Sequence, residues 1–422
     1  MKVLVINQCA HNKGDRAVLY FVLRELARND ASQVWVSTTG PGLEAISDYR
    51  VPTQVEFIPV SWSFPAGRDG NRLVRKASHL LSNRRIESRF RTAGKLAAKN
   101  RPVPVASLHV DAAFSKALLE CDFVLSTGGH HLTSLLRSNV RTEQLYDMCV
   151  SLLAGKPLVL WSQSFGPCRF SEALYEDLVR WVLSGAAAIY VRDEHSTEEL
   201  SHLGVDTSTV RKTYESVIGL NDIVADYIPP SQRDNVVGVS VYHAQQRSQS
   251  AHKAYVGAMS QLVDHIVQIG HTPLFFPMEP KKEHDDRGLI REILTHARFG
   301  REDFLCDQDL GPRAHIERVS RCKLFVGHKT HSVIFALTTG TPLVAIAYHT
   351  KTEDFMNDYR LPEYCVREDV MSRDILASTL SRALADCDTL GPKIFERSRV
   401  ISGRVRHDFA AMMDRMGQRR PQ

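Results

Sequence analysis

Paired cysteines are missing from this chain. Its eight cysteines (Cys9, Cys121, Cys149, Cys168, Cys306, Cys322, Cys365 and Cys387) stand singly, with no Cys-x-x-Cys and no histidine at zinc-ligand spacing. That excludes a zinc ribbon and a disulfide scaffold, and leaves free thiols in a reducing compartment as the natural reading. Long apolar runs are missing too. No stretch reaches the roughly 18 apolar residues of a membrane span, and the apolar run in Met-Lys-Val-Leu-Val-Ile-Asn-Gln is too short for a signal peptide. A soluble, cytoplasmic protein is the expectation. There is no P-loop, no Gly-x-Ser-x-Gly, no His-Glu-x-x-His and no well-formed Gly-x-Gly-x-x-Gly. Several common enzyme classes, dinucleotide-dependent ones among them, lose their usual signature.

What is present is the balance of an ordinary globular protein, 43% hydrophobic and 24% charged over 422 residues. That length suggests two or three domains, each able to bury a core without staples. The net charge of +5 is unevenly spread: Arg68 to Arg101 holds eleven Lys or Arg against Asp69 and Glu87. This segment reads as a solvated face or insertion, or as a peripheral dock for the anionic inner face of a membrane. Phe90 is the one aromatic among its charges. A stacking platform for nucleic acid is therefore not expected.

Short apolar runs that read as buried strands recur at Val3–Ile6, Val34–Val36, Val55–Ile58, Phe123–Leu125, Leu158–Trp161 and Ala188–Val191, with helical patterns between most of them. A second series (Val236–Val241, Pro273–Phe276, Leu324–Val326, Leu343–Ala347) follows the Pro229-Pro230 linker. Strands alternating with helices predict an α/β fold of two doubly wound, parallel-sheet, Rossmann-like domains with a cleft between them. The expected divisions are 1–228, carrying the acceptor side and the basic segment 68–101, then 235–375, carrying the donor anion site. The helical segment 376–422 then packs back on the first domain.

Ligands of such sheets bind at the carboxyl ends of strands, so the loops there hold the candidates. In Asn12-Lys13-Gly14-Asp15, Gly14 permits a tight turn and Asp15 suits a helix cap. Gly128-Gly129-His130-His131 brings backbone close to a ligand beside two possible donors or bases. Neighbouring histidines point apart, so no metal site is expected. Gln163 and Ser164, before Gly166-Pro167, suit sugar hydroxyls or an ordinary turn. Arg192 closes a strand, to grip an anion bidentately or to pair locally with Asp193 or Glu194. Lys329, Thr330 and His331 follow a strand and open a helix, which places a cation, a titratable ring and a helix N-terminus on one spot. Lys351 is a further anion ligand candidate.

In order, Asn12-x-Gly14-Asp15-x-Ala17, Gly128-Gly129, Ser162-Gln163-Ser164-x-Gly166-Pro167, Arg192-Asp193-Glu194-x-Ser196 and Leu203-Gly204 lead to Val237–Val241. Lys329-Thr330-His331, Gly340-x-Pro342 and Tyr348-x-x-Lys351 close the series. Spanning about Asn12 to Phe355, this series resembles the polysaccharide pyruvyl transferase family. The resemblance implies a GT-B-like fold and transfer of a pyruvyl group from phosphoenolpyruvate (PEP) to a glycan sugar, as a cyclic ketal. It implies PEP as co-substrate without a resident cofactor. Arg192, Lys329 and His331 then bind or activate PEP, with Lys351 added from the residues themselves. His331 is the candidate acid/base, with Asp15, His130 or His131 as base. Asn12, Gly14, Gly128, Gly129, Gln163 and Ser164 are the candidate acceptor contacts. Three departures stand out: Lys329 replaces the family's Arg, His130 replaces a third glycine, and Tyr214-Glu215-Ser216-Val217 stands where Ala-Asp-Pro is usual. The competing readings are a GT-B glycosyltransferase with a nucleotide-sugar donor and a non-catalytic glycan binder.

Overall fold

A computed structural model describes residues 1–8, 12–40, 42–62, 86–134, 143–244, 247–279, 285–348 and 350–419. The chain divides into two compact units, one of Met1–Ala10, Val18–Ser216 and Val405–Gln422, the other of His11–Ala17 and Val217–Arg404.

The apolar runs of the first unit become β1 (Lys2–Gln8), β2 (Gln33–Thr38), β3 (Gln54–Ile58), β4 (Phe123–Ser126), β5 (Leu158–Gln163) and β6 (Ala188–Val191). A short β7 (Val210–Lys212) completes a seven-stranded sheet in the order β3-β2-β1-β4-β5-β6-β7. Every pairing in it is parallel. Helices cover both faces of such a sheet, so its strands are buried on both sides and read as continuous apolar runs. β7 has no such run because it is a half-exposed edge strand of three residues. The direction of winding reverses between β1 and β4.

The second unit's sheet is also wholly parallel, in the order β12-β11-β10-β8-β9. Its strands are β8 (Asp234–Val239), β9 (Thr272–Phe275), β10 (Cys322–Gly327), β11 (Leu343–Ala347) and β12 (Cys365–Arg367). Here the winding reverses between β8 and β10. Gly340 ends the helix Thr330–Thr339 in the left-handed region, at φ 66°. Its carbonyl accepts from the buried Arg233, which also binds the carbonyls of Ser320 and Ile228. The Gly340-x-Pro342 turn is thus a packing device.

The helix Cys387–Gln418 passes from the second unit into the first, where Phe409 meets Phe21 and Trp161 at ring separations of 5.8 and 4.8 Å. Residues 68–85 of the basic segment lie outside the described residues. Residues 86–97 are helical, and Phe90 is fully buried against Tyr146 and Tyr175. Arg91, Lys95, Lys99 and Arg101 are exposed.

One buried acid carries a pH signature. Asp147, in the helix Glu143–Leu153, accepts from the Ser61 hydroxyl, yet burial pushes its pKa up to about 7. The unfolded chain ionises this group near 4. Between about pH 4 and 7 the unfolded state therefore holds fewer protons, and this group's contribution to stability falls as pH rises. Thermal melts at pH 5 and pH 8 should show that loss, and Asp147→Asn should shrink the difference between them. An unchanged difference would refute the assignment.

Candidate active site

In open parallel sheets the ligand crevice lies where the winding reverses, at the carboxyl ends of the strands. In the second unit that is the end of β8 and β10. The chain leaves β10 through His328 and Lys329, and Lys329 is the N-cap of the helix Thr330–Thr339. Its side chain gives no capping bond, so the positive end of that helix stays uncompensated by its own cap. Instead the Lys329 amine lies 3.0 Å from both oxygens of Asp286. Asp286 is fully buried and also accepts the backbone N–H groups of Met278 and Glu279, each at 2.8 Å.

His331, the second residue of that helix, packs against Gly14. A Cβ placed on Gly14 would stand 2.1 Å from His331 Cγ, so only glycine lets the ring lie there. Gly14 is itself the second residue of the helix Lys13–Arg28. Two helix starts thus meet at one imidazole.

Asn12, rather than Asp15, closes the first turn of the helix Lys13–Arg28. Its Oδ1 accepts the Asp15 N–H, and its Nδ2 donates to Asp15 Oδ2, both at 2.8 Å. Asp15 thus gives its backbone N–H to the Asn12 side chain and accepts from that same side chain. Nearby cations are paired: Arg16 binds Asp309 with 2.9 Å contacts, and Arg287 binds Asp285 and Asp307. Lys13 is buried, which pulls its pKa down while Asp309 pulls it up. Lys351 is half-buried in the first turn of the helix Thr350–Asp358. Thr352 of that turn lies 3.0 Å from Thr330, hydroxyl to hydroxyl.

Beside this spot lies a pocket of about 1010 Å³, reached by Tyr242 and Arg247 after β8, Tyr348 after β11, and Arg367 and Glu368 at β12. Its wall is a closed hydrogen-bond chain. The Tyr242 N–H donates to the Tyr255 hydroxyl, which lies 2.9 Å from His328 Nδ1. His328 Nε2 lies 3.0 Å from Glu368, which also binds Arg247 at 2.9 Å. Burial holds the His328 pKa down, although Glu368 works against it. His328 is thus a neutral link with both ring nitrogens engaged. The sequence marks His328 only as a neighbour of Lys329. Tyr242, Tyr255, Arg247 and Glu368 carry no local motif at all, because they reach the pocket from the connection after β8, the helix Gln249–Gln268 and the turn after β12.

The first unit gathers the other candidates. Arg192 pairs with Glu215 and donates to Ser164 Oγ at 2.7 Å. The partner is neither Asp193 nor Glu194, but the glutamate of the atypical Tyr214–Val217 segment. Ser164 Oγ in turn donates to Asp193, which caps the helix Glu194–His202. Burial pulls against ionisation of Asp193, yet hydrogen bonds from Ser164 and Ser196 and the Arg192 charge leave its pKa lowered. Gln163 is 1% exposed and donates to Ser126 Oγ at 3.1 Å, so it ties β5 to β4 instead of reaching a ligand. His130 Nε2 faces the carbonyl of Gly166 at 2.5 Å, and His131 Nε2 faces that of Thr127 at 3.2 Å. Both rings brace the loop by these bonds. A Cβ on Gly128 would come within 2.9 Å of the Ser162 carbonyl, and one on Gly129 within 2.5 Å of the His131 ring. The paired glycines thus serve loop packing as well.

The polysaccharide pyruvyl transferase family model matches residues 12–350. The chain belongs to this family. It is 23% identical over 393 residues to the amylovoran biosynthesis protein AmsJ of Erwinia amylovora, covering 86% of this chain and 87% of that protein. Its fold is similar to that of HepE from Anabaena, solved with UDP-glucose, at a TM-score of 0.54 and 15% identity over 98% of this chain and 99% of that one. It is also similar to the UDP-GlcNAc 2-epimerase of Neisseria meningitidis, at 0.54 and 10% over 95% and 98%. The two parallel sheets of this pyruvyl transferase family member are thus of the GT-B-like class.

Proposed function

We propose that the protein moves a pyruvyl group from PEP onto two hydroxyls of a polysaccharide or lipid-linked sugar, as a cyclic ketal. One observation carries the reading. Two helix N-termini meet at His331, beside Lys329, and backbone N–H groups with a helix dipole favour a phosphate or carboxylate there. Lys351, in the neighbouring helix start, supplies a further cation.

In this reading His331 delivers a proton to C3 of PEP, which leaves C2 electron-poor. A sugar hydroxyl forms the first C2–O bond, and the C2–O bond to phosphate breaks. The second hydroxyl closes the ketal. Two hydroxyl protons are lost: one replaces the proton given to C3, the other leaves with phosphate. Lys329 reaches an anion only by sharing its amine with Asp286, a weaker grip than the family's two-pronged Arg. The exposed cations of 91–101 would hold the protein at an anionic membrane carrying a lipid-linked acceptor.

The test is a thermal-shift titration with PEP and with UDP-sugars. A rise in melting temperature with PEP that is weaker in Lys329→Ala supports the reading. A rise with a UDP-sugar and none with PEP moves the protein to the glycosyltransferases.

A further inference from the structure

The pocket after β8, β11 and β12 has a composition unlike the His331 spot. Two cations, Arg247 and Arg367, face three carboxylates, Glu353, Glu368 and Asp369. Neither cation is in surplus, because Arg247 is bound to Glu368 and Arg367 to Asp369. A PEP or diphosphate group entering here would find no uncommitted positive charge among these lining residues. The apolar part joins Ala251, Ala254, Ala347 and Met371 to an aromatic pair, in which Tyr242 and Tyr348 stack with centroids 3.9 Å apart and planes 21° off parallel. Tyr348 is 38% exposed, a large ring left at the surface.

We propose that this pocket is the acceptor site of the transferase, holding an uncharged sugar ring on Tyr348 with its hydroxyls on the carboxylates of the rim. The inference rests on the pyruvyl transferase reading and adds where the acceptor sits. A sugar has an apolar C–H face that packs on an aromatic ring, and an equatorial rim of hydroxyls that donate to carboxylates. Glu353 and Asp369 supply such acceptors. The volume is at the large end of ligand pockets and suits an oligosaccharide end better than a molecule as compact as PEP. Position supports the same assignment. The Tyr348 hydroxyl is hydrogen-bonded to Thr330, the residue just before His331. A sugar on Tyr348 is therefore held next to the group proposed to protonate the donor. The loops first expected to bind the acceptor, around Gln163 and Ser164, spend their polar groups on one another.

Saturation-transfer NMR on the full chain, with lactose, cellobiose and mannobiose alongside PEP and UDP, tests this. The expected result is a signal from at least one disaccharide that weakens roughly tenfold in Tyr348→Ala, about one lost aromatic contact, and persists in Tyr348→Phe. Glu353→Gln should weaken the same signal. The assignment is overturned if no disaccharide binds, if Tyr348→Ala leaves sugar binding intact, or if the signal lost in that variant is that of UDP or PEP. The donor reading is judged separately, by whether wild-type protein responds to PEP at all.

Discussion

Replacing Arg192 by alanine should cost the first unit about 3–5 kcal/mol, the usual penalty for orphaning one half of a buried ion pair. The Arg192 side chain is 10% exposed and that of Glu215 only 1%. Without the guanidinium, Glu215 is left as a nearly dry carboxylate, and Ser164 loses a donor that orients it toward Asp193. A double change, Arg192→Met with Glu215→Leu, should recover most of the loss, because replacing both charges by packed apolar groups is often close to neutral. The measurement is chemical denaturation of wild type, single and double variants. A midpoint for Arg192→Ala within error of wild type would remove the structural role. The double variant also separates two roles that the family resemblance merges. If it is stable and still turns over PEP, Arg192 holds the fold; if it is stable and inactive, Arg192 touches substrate.

The second large effect is expected at His331. Removing a general acid usually costs 10²–10⁴-fold in rate, so His331→Gln should lower turnover of PEP by roughly that factor while the melting temperature stays close to wild type. The side chain is half-buried at a helix start, with its ring lying on Gly14. Gly14→Ala is the complementary probe. Its methyl would stand well inside the van der Waals radius of the imidazole, so either the ring or the helix start must move. Turnover should fall with the ring displaced, even though no proton donor has been removed. If His331→Gln keeps full turnover, the acid is elsewhere and the proposed mechanism is wrong.

Some features of this protein were readable from residue order alone, for a physical reason. A parallel strand is buried on both faces, so Val3–Ile6, Phe123–Leu125 and Leu343–Ala347 had to be apolar without interruption. Alternation of such runs with helical patterns then fixes the α/β class. The motif series from Asn12 to Lys351 likewise carries the family, because each loop keeps its few required residue types in sequence.

Partnership is different. Sequence neighbours suggested that Asp15 caps its helix, that Arg192 pairs with Asp193 or Glu194, and that Lys329 is an open anion grip. The fold instead gives the cap to Asn12, Arg192 to Glu215 and Lys329 to Asp286. Glu215 lies 23 residues beyond Arg192, and Asp286 lies 43 before Lys329. A charged side chain entering a dry interior takes whichever counter-charge the sheet order brings within reach, and local spacing does not encode that choice. The pocket wall makes the same point. Tyr242, Tyr255, His328 and Glu368 lie on four separate segments and become one hydrogen-bonded chain only once β8, β10 and β12 are ordered in a sheet.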